Sequence, residues 1–110
     1  MPKRDSLGEL ERLIMLAVLH CRDDAYGYSV QQQLSQKIRR SLSLGAIYTT
    51  LERLEVKGYV WSQLADPSAC RGGRPKRLFH VTAPGIRALN SAQDEWVSLA
   101  QGLEGVLGTV

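Results

Sequence analysis

The chain has 110 residues, 44% of them hydrophobic and 23% charged, with a formal net charge of +3. That length supports one modest hydrophobic core and no second, and an aromatic share of only 6% leaves the core to Leu, Val, Ile and Ala. No apolar run approaches the roughly 18 residues of a membrane span, and the opening MPKRDSLGEL turns acidic and amphipathic in place of a signal-peptide stretch, so a cytoplasmic protein with no membrane partner is expected.

In the first segment Leu7, Leu10, Ile14, Ala17, Val18 and Cys21 recur at helical spacing, and Leu13, Leu16 and Leu19 fill much of the remaining circumference. A helix that is apolar on several sides must be covered on several sides. Asp23 and Asp24 break the pattern and are suited to cap a second helix, in which Tyr26, Val30, Leu34 and Ile38 recur every four residues. Ser43 is placed to cap a third helix with the stripe Leu44, Ile47, Leu51 and Leu54, and Gly58 to end it. Beyond Gly58, Tyr59-Val60-Trp61 and Leu78-Phe79-His80-Val81 have the composition of strands. The polar ADPSACRGGRP between them predicts a hairpin with a long basic tip.

Thr82 is placed to cap a last helix that accepts Pro84 in its first turn. Its stripe Ile86, Leu89, Gln93, Trp96, Ala100, Leu103 and Leu107 alternates steps of three and four, as a heptad seam does. From spacing alone this helix either pairs with a second helix or packs on its own core. Gly102, Gly105 and Gly108 predict that its end frays.

The net charge conceals a polarised chain. From Lys37 to Arg87 ten basic residues face three acidic ones, a balance of +7, whereas the two flanks carry four basic and eight acidic residues, a balance of −4. One strongly basic region is what binding to a polyanion requires. Its cations are spread over several elements and do not line a single amphipathic helix, which favours nucleic acid over an anionic membrane; the plain alternative is a solvated surface of mixed charge.

Helix, helix, helix, two-stranded hairpin, helix is a mainly α fold with a small β-hairpin, in the order of a winged helix-turn-helix. There the third helix enters the major groove of double-stranded DNA. With Ile47, Leu51 and Leu54 facing inward, the opposite side of that helix is read as Ala46, Thr49, Thr50, Arg53 and Lys57. Small residues and hydroxyls admit base edges, and Arg53 and Lys57 are suited to phosphate or guanine. Glu52 and Glu55 are read as marginal.

The segments SLGAIYTTLERLEVKGYV and GGRPKRLFHVTAPG resemble the PadR family of bacterial transcriptional regulators. The matching positions are Gly45, Tyr48, Leu51, Leu54, Glu55 and Gly58, then Gly73, Arg74, Lys76 and Arg77 in the wing, and Thr82 and Gly85 at the last helix; Tyr26-Gly27-Tyr28 looks like the family's aromatic-glycine pair. The chain departs from the pattern at Leu78 and Phe79, where the family commonly has tyrosines, and in having one final helix where the larger subgroup has several. It is similar to the short subgroup, which implies residues 6–82 as the DNA-binding part and 83–107 as a dimerisation helix.

The resemblance implies a homodimeric regulator, a repressor that responds to a ligand, bound to an inverted-repeat operator with half-sites a whole number of helical turns apart. It implies an interface of Leu10, Ile14, Ile86, Leu89, Gln93, Trp96, Ala100 and Leu103. The face of the third helix and the basic wing give the candidate DNA contacts as Thr49, Thr50 and Arg53 for base edges, Tyr48 with its hydroxyl on phosphate, and Lys57, Arg71, Arg74, Lys76 and Arg77 mostly for the backbone. Some members bind flat aromatic compounds near the dimer interface, which makes Trp96 a candidate for a pocket that takes a small aromatic effector.

Other classes leave weaker traces. The chain has no phosphate-cradling glycine loop after a strand, no HExxH and no GxSxG, so no enzyme is indicated. His20, Cys21, Cys70 and His80 lack metal-ligand spacing, so no metal or other cofactor is expected, and Cys70 beside Arg71 is the one thiol whose surroundings suit a redox sensor. A winged helix used as a protein-protein module is a further alternative, against which the basic wing argues.

Overall fold

A computed structural model describes residues 7–65 and 75–108, and within them the chain runs α1 (Glu9–Cys21), α2 (Gly27–Ile38), α3 (Leu44–Lys57), β1 (Val60–Leu64), β2 (Arg77–Val81), α4 (Ala83–Ala100) and α5 (Glu104–Leu107). The order is the expected one of three helices, a hairpin and a long helix. A 3-10 turn at Arg22–Asp24 and the short α5 are additions. None of the described helices is long and apolar enough to cross a membrane.

Two of the expected start signals form. The Ser43 hydroxyl accepts from the Ala46 N–H (3.1 Å), and the Thr82 hydroxyl accepts from the Gly85 N–H (3.1 Å). At the start of α2 the outcome differs: Asp23 and Asp24 are drawn into the 3-10 turn, and Tyr26 takes the N-cap position. There the Ser29 hydroxyl accepts from the Tyr26 N–H (2.9 Å) and donates to the Asp24 carbonyl (2.6 Å). The turn places both aspartates too early to reach the helix's free N–H groups.

Helix α1 is central, packed by α2, α3 and β2, which accounts for its many apolar sides. The core joins Ile14, Met15, Ala17 and Val18 of α1 to Val30 and Leu34 of α2, to Ile47, Leu51 and Leu54 of α3, and to Val60, Phe79 and Leu89. The antiparallel hairpin pairs Val60 with Val81, Trp61 with His80 and Ser62 with Phe79. Alternation therefore turns Val60, Phe79 and Val81 inward and Trp61 and His80 outward, where their rings stack with centroids 4.5 Å apart. A hydrogen bond from the Phe79 N–H to the Ala25 carbonyl (2.8 Å) ties the wing to the start of α2.

Helix α4 leaves the domain at a tight junction. A Cβ on Gly85 would collide with the Tyr59 carbonyl and with Val81, so glycine is required where the helix crosses the backbone. Beyond Leu89 no residue of α4 is buried. The helix stops at Ala100, and Gly102 (φ 88°) turns the chain into α5, so the seven-member stripe read from the sequence is not one continuous helix face.

Candidate nucleic-acid interface

Helix α3 packs on α1, α2 and β1, so its buried arc is wide. Gly45, Tyr48, Thr49, Glu52, Arg53 and Val56 are exposed and define the outward side, Glu55 is exposed beside them, and Leu44, read as the first member of the inward stripe, is exposed at the helix start. Val56 is 89% exposed, nine residues beyond buried Ile47 and thus about half a turn away from it around the helix. The helical repeat alone places Val56 on the outward side.

Of the five positions assigned to this face, Thr49 and Arg53 are exposed, Ala46 is half-buried, and two turn inward. Thr50 is 3% exposed, and its hydroxyl donates to the Ala46 carbonyl (2.9 Å). It lies only about 60° from Ile47 at 100° per residue, and a hydroxyl satisfied within its own helix is easily buried. Lys57 reaches back to α1, where its Nζ donates to Glu11 Oε1 (2.9 Å). Among the described residues this is the only ion pair with both side chains largely buried.

Tyr48 is partly exposed, but its ring lies against the start of α2, where a Cβ on Gly27 would overlap it. The same ring sits 6.3 Å from that of Phe79, so Tyr48 wedges α2, α3 and the wing together. Gly27, matched in the sequence as part of an aromatic-glycine pair, is there because the ring needs the space. Tyr28, which no sequence reading proposed for contact, is exposed on the same end of α2.

The wing cations are anchored. Lys76 Nζ lies 4.2 Å from the centre of the Tyr26 ring and 3.8 Å from Asp24 Oδ1. Arg77 Nη1 donates to Ser62 Oγ (2.9 Å), which donates to Glu55 Oε2 (3.0 Å), linking the hairpin to α3. Arg71, Arg74 and Cys70 lie outside the described residues. Burial pushes the Cys21 thiol above its ordinary pKa, and a hydrogen bond with Ser29 does not reverse this, so that sulfur stays a thiol.

Among the interface candidates, Ile86, Gln93, Trp96 and Leu103 are exposed and Leu10 and Ala100 half-buried. Ile14 and Leu89 are not available: both belong to the core of their own domain, Ile14 on an α1 enclosed by three elements and Leu89 at the last buried position of α4.

Glu11 gives the fold a pH limit. Burial raises its carboxyl pKa, but the Gly8 N–H, Lys57 and Arg53 together hold it below the ordinary value. A depressed carboxylate stabilises the fold fully above its unfolded pKa of about 4.3, and the contribution is lost as pH falls through the folded value. Urea unfolding of the Glu11→Gln protein is therefore expected to show a shallower loss of stability below about pH 4.3 than the native chain. Parallel acid limbs would contradict this.

An exposed α3 carried on a three-helix core, with a hairpin at its flank, defines the winged helix-turn-helix class, which reads DNA through that helix. The chain belongs to the PadR-like family of transcriptional regulators, whose family model ("Transcriptional regulator PadR-like family") matches residues 15–91. The family is one of regulators and not of enzymes, and DNA is the partner it implies.

Among solved structures, a PadR family transcriptional regulator from Eggerthella lenta DSM 2243 is 28% identical with a TM-score of 0.67, covering 93% of this chain and 88% of that one. A PadR family transcription regulator from Clostridium difficile R20291 (22% identity, TM-score 0.71, 89% and 98% covered) and a PadR-like regulator from Bacillus cereus ATCC 14579 (22%, 0.70, 92% and 93%) share the fold. No curated protein matches the chain.

Proposed function

We propose that the protein is a ligand-responsive repressor that binds an inverted-repeat operator as a homodimer, with residues 6–82 on the DNA and residues 83–107 joining the protomers. The observation that carries the dimer is the bare apolar surface of the C-terminal arm. Trp96, Val97, Leu99, Leu103, Val106 and Leu107 are all exposed, and Leu99 is 81% so. A lone soluble domain rarely leaves so many large apolar residues together in water. Two-fold pairing covers most of this surface and presents two α3 helices to the DNA about 34 Å apart, or a multiple of that.

On each half-site Thr49 and Arg53 read base edges, and Tyr48 supports them with its hydroxyl on phosphate. Lys76 and Arg77, with Arg71 and Arg74, hold the backbone. The effector site is the surface cleft of about 420 Å³ between α4 and α5, where Trp96 lies beside Val97, Ala100 and Leu107. A small aromatic compound stacks on the indole there.

The test begins with duplexes selected by the protein from its source genome. Arg53→Ala is expected to weaken the selected duplex by about 1 to 3 kcal/mol and to relax preference at one or two base pairs. Arg77→Ala should weaken selected and scrambled duplexes alike and flatten the salt dependence by about one unit of slope. Equal losses on every sequence for Arg53→Ala would remove it from base readout.

A further inference from the structure

The Glu11–Lys57 pair joins the first turn of α1 to the last turn of α3, between residues 46 positions apart. Glu11 is 4% exposed. Its Oε1 accepts from both Lys57 Nζ (2.9 Å) and the Gly8 N–H (2.8 Å), whereas its Oε2 is buried with no hydrogen-bond partner. A half-satisfied carboxylate is a poor source of net stability, because the desolvation cost of both charges remains and one oxygen returns nothing.

What such a pair does supply is direction. The contacts of Ile47, Leu51 and Leu54 are apolar, and the driving force of their burial is non-directional. A buried, hydrogen-bonded ion pair adds a directional restraint between the two helices, and setting register is the best-attested use of buried charge. Arg53 lies one turn before Lys57 on α3 and is exposed, and its charge also acts on the Glu11 carboxyl.

We propose that Glu11 and Lys57 are positioning residues for DNA recognition: their buried pair fixes the axial register of α3 on α1, and with it the placement of Thr49 and Arg53 against base edges. The inference rests on reading α3 as the DNA-reading helix. Lys57 thereby contributes to sequence discrimination without touching DNA.

Two full-length variants test it: Glu11→Gln, which keeps the shape and removes the charge, and the double variant Glu11→Met/Lys57→Met, which replaces the pair by apolar side chains. The probes are a duplex selected by the native protein from a random-sequence pool and a scrambled duplex of the same length. Discrimination is the ratio of the two affinities, measured by gel shift on protein shown to be folded by circular dichroism.

The double variant is expected to be at least as stable as the native chain, yet its discrimination should fall by about 2- to 30-fold, the range for residues that act on a ligand without contacting it. Glu11→Gln should lose discrimination in the same direction, with affinity for the scrambled duplex kept or raised by the removed negative charge. If Glu11→Gln does not fold, the double variant decides alone. Native discrimination in the folded double variant would overturn the proposal. A native chain that itself fails to discriminate would remove the DNA reading of α3, and the positioning role with it.

Discussion

Truncating Phe79 to alanine is expected to lower the unfolding free energy by about 3 to 5 kcal/mol, a large share of what a domain of this size possesses. Phe79 is among the largest fully buried side chains of the core. It belongs to the wing strand, yet its ring faces Tyr48 of α3 and its N–H is bonded to Ala25 before α2, so the loss falls on the junction of three elements. A cavity at such a junction relaxes poorly, because each wall is held by a different element. Urea unfolding followed by circular dichroism measures it, and a loss under about 1 kcal/mol would show that the wing docks without its ring.

The largest effect on DNA affinity is expected from the C-terminal arm. The double variant Trp96→Asp/Leu103→Asp should elute as a monomer at micromolar concentration and lose about 10² to 10⁴ in affinity for a two-half-site operator, since the second half-site is then no longer reached at high effective concentration. Affinity for a single half-site should stay close to native, because no residue of the winged part is changed. Light scattering after size exclusion reports the first outcome and gel shifts on one- and two-half-site duplexes the second. A native chain that is monomeric, or a monomeric variant that binds the full operator as tightly, would remove the dimer from the mechanism.

Which parts of this were legible in the sequence follows from the range of the interactions involved. Ser43, Gly58 and Thr82 announced the ends of α3 and the start of α4 because capping bonds span only a few residues. The composition after Gly58 announced the hairpin, and the apolar circumference of residues 7–21 announced a helix enclosed on several sides. The capping of α2 was misread for an equally local reason: Asp23 and Asp24 have the right chemistry, but a 3-10 turn intervenes, and Ser29 and Tyr26 take over.

The outward face of α3 was only half legible. Thr49 and Arg53 are exposed, whereas Thr50 is buried and Lys57 is paired to α1. A helical wheel gives the centre of the buried arc but not its width, and that width is set by how many neighbours cover the helix. Ile14 and Leu89 show the same effect from the other side, since a stripe of correct period does not say whether it faces its own domain or a second copy.

The sequence by itself therefore determined the order of elements, the sites of their caps and the basic middle flanked by acidic ends, all of which depend on near neighbours or on sums along the chain. Only the tertiary structure decided that Glu11 meets Lys57, that Lys76 rests on Tyr26 and that Tyr48 needs the space left by Gly27. Each of these joins residues far apart in the chain, and a contact between distant residues is fixed by how packed elements settle against one another, for which no spacing rule exists.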